Sequence, residues 1–244
     1  MRNRTLRFNY YAVLALKARV HLYAGNLDSA RIAAQEVISS AKFPATALSA
    51  ISGGNRTFST EVIFNLNVND IAILYAGFFN TSVRATKSVD QWNSWFEIAA
   101  GGSGDYRYLY QTALNGVYRL PVKLDGALNT NAAAAKKVPL MRLTEMYLIA
   151  AEAQLGTDNA AALTLVNTAR RSRNLTDLPG TLTTPQIQQE IIKEYQKELL
   201  CEGQIFYLYK RLNLSELPYD FRSMNDEQYV LPLPDDELTY GRTK

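Results

Sequence analysis

The sequence predicts a mainly α protein: tetratricopeptide-like helical hairpins with a long irregular, loop-rich insertion. Three observations carry this. Apolar residues recur at helical spacing over residues 5–43 and again over 139–213. Both stretches follow one plan of apolar helix, glycine, short polar turn and alanine-rich helix. Between them, residues 44–138 are rich in glycine and turn-forming residues.

Each element follows from its residues. In the first hairpin, 5–43, Tyr11, Leu14, Ala15, Ala18 and Leu22 mark one helix, and Gly25-Asn26 stops it. Asn26 or Asp28 caps the next, where Ala30, Ala33, Ala34, Val37 and Ile38 form an apolar stripe. Within 44–138, EVIFNLNV (61–68) has strand-forming composition, whereas GGN (53–55), GGSGDYRYLYQ (101–111) and GALNTNAAAAKK (126–137) read as loops. Pro139 opens the second hairpin, Leu140, Leu143, Met146, Tyr147, Ala150, Ala151 and Ala153 follow at helical spacing, and Gly156 ends the helix. Asp158 or Asn159 starts its partner, NAAALTLVNTARRSRN. One long helix is expected over 185–212, with Thr183-Thr184 as caps and Pro185 in its first turn. Pro218 marks an extended tail, 214–244, that includes YVLPLPDDEL (229–238). The whole chain, 1–244, is expected to form a single helical domain.

Composition excludes several functions. A net charge of +3 on 244 residues gives no reason to expect a nucleic acid or an anionic membrane as partner. The one cysteine, Cys201, forbids an internal disulfide and reads as a small buried hydrophobe rather than a nucleophile. The one histidine, His21, reads as a packed or half-exposed residue on an apolar helix. No apolar run reaches the ~18 residues of a membrane span. Lys17 and Arg19 interrupt any signal-peptide core, so the chain as given is expected to carry no export signal. There is no GxGxxG, P-loop or HExxH pattern, and one His with one Cys is too few for zinc. No cofactor and no metal are expected.

Two sets of charged residues stand out. Glu190, Glu194, Glu198 and Glu202 fall at a strict spacing of four, which on a helix stacks like charges. Lys193 and Lys197 offer local partners. Arg142, Glu145, Glu152, Arg170, Arg171 and Arg173 form the second set, on faces that also carry Leu and Met. Buried carboxylates need pairing, so both sets are expected to form a structural polar network rather than an acid/base site.

Four ordered segments carry a family likeness. RLTEMYLIAAEAQLG (142–156) followed by VNTARRSRN (166–174), KEYQKELLCEGQIFYLYKRLN (193–213), VLPLPDDEL (230–238) and LRFNYYAVLALKARVHLYAGNLDSARIAAQEVI (6–38) together resemble the SusD/RagB family. The likeness covers about residues 5–43 and 139–240. It implies a SusD-like α-α superhelix. It also implies a non-enzymatic lipoprotein on the outer-membrane surface of Bacteroidetes, binding glycan or another nutrient. Its implied partner is a TonB-dependent SusC-like transporter, and by the same likeness a lipid anchor and export signal are expected in a portion absent from this chain. Tyr195, Gln204 and Tyr207 stand where the family pattern usually has Arg, Arg and Asp. Glu194 and Glu202 therefore need other partners, and Arg142, Arg170 and Arg173 are the candidates.

Sugar binding in such proteins uses aromatic platforms in variable loops, so no binding residue carries over by motif. In this chain the insertion holds Tyr75, Phe78, Phe79, Trp92, Trp95, Phe96, Tyr106, Tyr108 and Tyr110. Trp92 and Trp95 lead as stacking platforms, with Tyr106 and Tyr108 beside them and Asp90, Asn93 and Arg107 as hydrogen-bonding groups. The alternative is that Trp92, Trp95 and Phe96 pack as one amphipathic turn against the helices. Two other functions compete with nutrient binding: a helical-repeat scaffold that holds a protein or peptide, and a glycan-active enzyme.

Overall fold

The computed structural model describes residues 4–79, 87–216 and 223–241. Asn9 opens the first helix, α1 (Tyr10–Tyr23), its Oδ1 accepting from the amides of Tyr11 and Ala12. Gly25, at φ +77°, ends it and α2 (Leu27–Ser39) follows. Ala12, Ala15, Ala18, Ala30, Ala33 and Ala34 are all buried, which lets the two helices pack closely. α1 is apolar on its other side too, with Val13, Leu16, Val20 and Tyr23 exposed.

The second hairpin stacks on the first. α2 packs on α7 (Leu143–Glu152), and α7 packs on α8 (Asn159–Arg171). Gly156, at φ +80°, separates α7 from α8, and Asp158 Oδ1 caps α8 by accepting from the Ala161 amide. α9 (Thr184–Glu198) lies against α7 and α8. Thr183 is its N-cap, in a reciprocal box with Gln186, and Pro185 sits in the first turn. Pro139 does not start α7. It lies in a strand opposite Asn65, and the helix begins only at Leu143.

The insertion holds short elements rather than loops alone. They are α3 (Leu48–Ser52), β1 (Val62–Asn67), α4 (Ile71–Phe78), β2 (Lys87–Ser88), α5 (Val89–Trp95), α6 (Tyr106–Gln111), β3 (Thr112–Asn115), β4 (Tyr118–Pro121) and β5 (Lys137–Arg142). β1 pairs antiparallel with β5, and a bulge lies between Val62 and Asn65. β2, β4 and β3 form a second antiparallel sheet in that order.

The chain divides after Gly203 into two compact units. The single helix expected over 185–212 is broken there: α9 ends at Glu198, and α10 (Ile205–Leu212) is a separate helix of the second unit. Cys201 (φ +64°) and Gly203 (φ +71°) adopt left-handed backbone, which a helix cannot continue through. Gly203 therefore supplies a turn between the two helices. In the second unit, Asn225 caps α11 (Asp226–Tyr229), and the Tyr229 hydroxyl donates to the Leu214 carbonyl. Residues 230–234 have no regular structure, as expected for that tail, but Asp235–Tyr240 form a further helix, α12. Pro218 lies outside the described residues. Among the described residues, no helix is long and apolar enough to cross a membrane.

One turn in the insertion tolerates no side chain. A Cβ at Gly102 would lie 1.7 Å from the Phe96 carbonyl oxygen, whereas one at Gly77 in α4 meets nothing within 4 Å. Gly102→Ala is expected to lower Tm by about 5–10 °C in differential scanning fluorimetry. Gly77→Ala, read in the same assay, is expected to leave it unchanged or slightly higher.

Candidate functional site

The expected ligand-binding residues sit on α5 and α6. Ser88 opens α5 in a reciprocal cap with Gln91, accepting from the Gln91 amide at 3.2 Å. Trp92 points inward: it is 1% exposed, donates its indole N–H to the Arg119 carbonyl at 2.6 Å and stacks on Phe96. It offers no face to a sugar, so its reading as a platform is corrected to a core residue. Asn93 and Trp95 are half-exposed and Asp90 is exposed.

Asp105 caps α6 by accepting from the Arg107 amide at 2.8 Å. Tyr106 and Tyr108 are half-exposed. The Tyr108 hydroxyl donates to Asn93 Oδ1 at 2.7 Å, and Arg119 lies 4.0 Å over the Tyr108 ring. Tyr106 and Tyr110 meet edge to face at 6.2 Å. The structure thus joins Asn93 to Tyr108, and Trp95, Tyr106 and Asp90 reach solvent.

Arg107 is also corrected. It is 1% exposed and belongs to a buried ion lattice, out of reach of any ligand. Its guanidinium bonds Asp105 (2.7 Å), Glu194 (2.8 Å) and Glu198 (3.4 Å). Arg173 bonds Glu198 at 2.8 Å and Glu61 at 2.5 Å, Arg142 bonds Glu198 at 3.0 Å and also Glu202, Arg170 bonds Glu194 at 2.9 Å, and Lys123 bonds Glu202 at 2.7 Å. Five cations, Arg107, Lys123, Arg142, Arg170 and Arg173, thus face five carboxylates, Glu61, Asp105, Glu194, Glu198 and Glu202. Glu198 is the hub, since three guanidiniums converge on it.

The partners sought for Glu194 and Glu202 are therefore Arg107 and Arg170 for the first, Arg142 and Lys123 for the second. Glu145 lies outside this lattice. It forms a two-point pair with Arg19 of α1, both bonds 2.7 Å, rather than with Arg142 or the arginines of α8. Glu152 is half-buried at the last residue of α7. Of the local lysines, Lys193 bonds Glu190 and Glu97, while Lys197 turns to Glu97 at 2.6 Å.

The electrostatics argue against acid/base chemistry in the lattice. Burial alone would raise Glu198, but the guanidiniums of Arg173 and Arg142 outweigh it and hold the carboxyl well below the usual range. Glu194 is likewise lowered, burial being outweighed by Arg107, Lys197 and Arg170. Such groups cannot hold a proton to donate near neutrality. Burial pushes the Cys201 thiol up to about 12, which removes it as a nucleophile. Among the described residues, no three His, Cys, Asp or Glu side chains are placed to hold a metal ion.

The family profile named SusD matches residues 75–236. The chain belongs to the SusD family. The match begins within the insertion, at Tyr75, and so includes its aromatic residues but not the first hairpin. Solved SusD structures extend the likeness to nearly the whole chain. A SusD superfamily protein of Bacteroides thetaiotaomicron VPI-5482 is 25% identical, with a TM-score of 0.71, over 96% of this chain and 59% of its own. A SusD superfamily protein of Bacteroides vulgatus ATCC 8482 is 22% identical, with a TM-score of 0.71, over 98% of this chain and 59% of its own. A SusD-like carbohydrate binding protein from the same organism is 20% identical, with a TM-score of 0.64, over 87% of this chain and 47% of its own. The chain thus spans about half to three-fifths of the length of these relatives. No match was found among proteins of curated function.

The lattice has a pH signature. The folded-state values of Glu194 and Glu198 are depressed, so their stabilisation is complete above the ordinary carboxylate value of roughly 4.3 and is lost as pH falls through the lower folded values. Glu198→Gln leaves buried guanidiniums short of charge and is expected to cost about 3–5 kcal/mol. Urea midpoints between pH 3 and 7 check both points. The wild type should lose stability steeply only at the acid end, and the variant should show a flatter dependence from a lower starting point.

Proposed function

We propose that this SusD-family protein binds carbohydrate without transforming it, at the bacterial outer-membrane surface, in partnership with a TonB-dependent SusC-like transporter. One observation carries the reading: the family match spans residues 75–236, the segment that holds the half-exposed aromatic residues of α5 and α6. A relative of the same fold is described as a carbohydrate binding protein. The chemistry of the surface agrees. Trp95 and Tyr106 supply apolar ring area, and the Asn93 amide and Asp90 carboxylate supply a donor and an acceptor for hydroxyls. The hydrogen bond from Tyr108 to Asn93 fixes both side chains before a ligand arrives. A non-enzymatic role fits the lattice, whose central carboxylates are committed to guanidiniums.

A second reading, a scaffold that holds another protein, draws on the exposed apolar side of α1 at Val13, Leu16, Val20 and Tyr23. Co-purification separates the two: capture of a transporter by the sugar-free protein, with no carbohydrate bound in calorimetry, favours the scaffold.

For the carbohydrate reading, a glycan-array screen followed by calorimetry on the best hit is the test. Trp95→Ala with Tyr106→Ala is expected to weaken binding at least about tenfold, at about 1–3 kcal/mol per stacking or hydrogen-bonding group lost, while keeping the fold. Unchanged affinity in the double variant removes this surface as the site, and turnover of any bound glycan refutes the non-enzymatic role.

A further inference from the structure

Asn115-Gly116 is the one Asn-Gly dipeptide in the chain, and it forms the turn between β3 and β4. Asn115 is the last residue of β3 and stands opposite Tyr118, so Gly116 and Val117 make a two-residue hairpin loop. Gly116, at φ +61°, takes the first central position, and Val117 does not have a positive φ, the pattern of a type II′ turn. The turn itself therefore selects glycine at 116, whatever else the dipeptide does.

Little holds this tip. Among the described residues the sheet order is β2-β4-β3, so β3 is an edge strand with one partner. Leu114, Asn115, Gly116 and Val117 are all exposed, and a Cβ at Gly116 would meet nothing within 4 Å. Among the described residues, nothing hydrogen-bonds the Asn115 side chain, and no backbone carbonyl accepts from the Gly116 amide. Loop tips of this kind open at the low end of the local-stability range.

The chemistry follows from two neighbouring atoms. The Asn115 side-chain carbon Cγ and the Gly116 nitrogen are placed in sequence to close a five-membered ring. Glycine carries no side chain to crowd that nitrogen. Closure needs rotation about ψ of Asn115, away from its strand value, and an opening tip permits that rotation. Asn93-Ser94 makes the contrast. Asn93 lies inside α5, half-buried, and its Oδ1 accepts from the Tyr108 hydroxyl at 2.7 Å.

We propose that Asn115 is a site of spontaneous self-modification by deamidation, with water as the co-reactant. The Gly116 amide gives its proton to hydroxide, its nitrogen bonds Asn115 Cγ, and the side-chain nitrogen takes a proton from water and leaves as ammonia. Water then opens the cyclic imide at either carbonyl. One opening gives aspartate; the other gives isoaspartate, in which the main chain runs through Cγ. In sum, one water is consumed and one ammonia released, and nothing is oxidised or reduced. Either product puts a negative charge on a tip where Leu114, Val117 and Tyr118 are exposed. Isoaspartate also lengthens the turn whose length sets the β3–β4 register. β4 carries Arg119, whose guanidinium lies over the Tyr108 ring and whose carbonyl accepts from Trp92. The strand affected is thus the one that braces the underside of the α5–α6 surface. The site needs no ligand and does not rest on the carbohydrate reading.

The test incubates the full chain at pH 6 and at pH 9 and follows each asparagine by peptide-mapping mass spectrometry, with fragmentation that separates aspartate from isoaspartate. Conversion is expected at Asn115 before any other asparagine, faster at pH 9, with both products formed. The rate in the folded protein is expected to lie within about a hundredfold of that in the urea-unfolded chain, as a low opening cost requires. Asn115→Gln, whose longer side chain would have to close a larger ring, should abolish the modification at 115 and leave Tm unchanged. Asn115 left intact while Asn93 or another asparagine reacts overturns the site, and so does a folded-state rate slower than that hundredfold limit.

Discussion

The buried Glu198 carboxylate, with three guanidiniums on it, is the constraint on which the rest of the first unit depends. Ionised groups taken out of water cost several kcal/mol each unless they are paired and hydrogen-bonded. Ten of them are buried together here, and their charges balance. The planar fork of arginine suits this task, since one guanidinium reaches two or three carboxylates at once. Each member also depends on the others: removing one leaves a buried charge without its counterpart. The lattice therefore specifies the arrangement of the chain more than it adds to net stability.

What the lattice joins explains why a long insertion can keep a definite place. Glu61 precedes β1, Asp105 and Arg107 open α6, Lys123 follows β4, and Arg142 ends β5. All four segments belong to the insertion or its border. Their partners, Glu194, Glu198, Glu202 and Arg173, belong to the helical core around α8 and α9. Small sheets and short helices bury little apolar area by themselves. Anchored at four points to the helical stack, they hold α5 and α6 in place. Trp92, Phe96 and Arg119 complete the underside of that surface, and Tyr108 and Asn93 meet on top of it.

The helical hairpins were legible because their signals are local. Apolar spacing, Gly25, Gly156, Asp158 and the Thr183 cap lie within a few residues of what they control. The break after Glu198 was not legible. Glu202 keeps the spacing of four whether or not the helix continues, and a left-handed Cys201 leaves no trace in composition. Partner choice was legible in kind only. Carboxylates on an apolar face announced a need for arginine, yet Glu145 pairs with Arg19, distant by 126 positions. Asp105 and Lys123 looked like loop residues. Trp92 and Trp95 are neighbours on α5, and no periodicity states that one is core and the other half-exposed.

The run Arg170-Arg171-Ser172-Arg173 shows how one helix end serves two roles. Successive residues on a helix differ by about 100° in direction, so alternate positions face opposite surroundings. Arg170 and Arg173 turn inward to Glu194 and Glu198, and Arg171 turns outward to Asp177. Arg170 connects the two sides, bonding the lattice with Nη1 and the Thr176 carbonyl with Nε. The segment that follows α8 is therefore anchored, through one guanidinium, to the same buried carboxylates that position the insertion. The two sets of charged residues thus tie the helix ends and the insertion to one lattice.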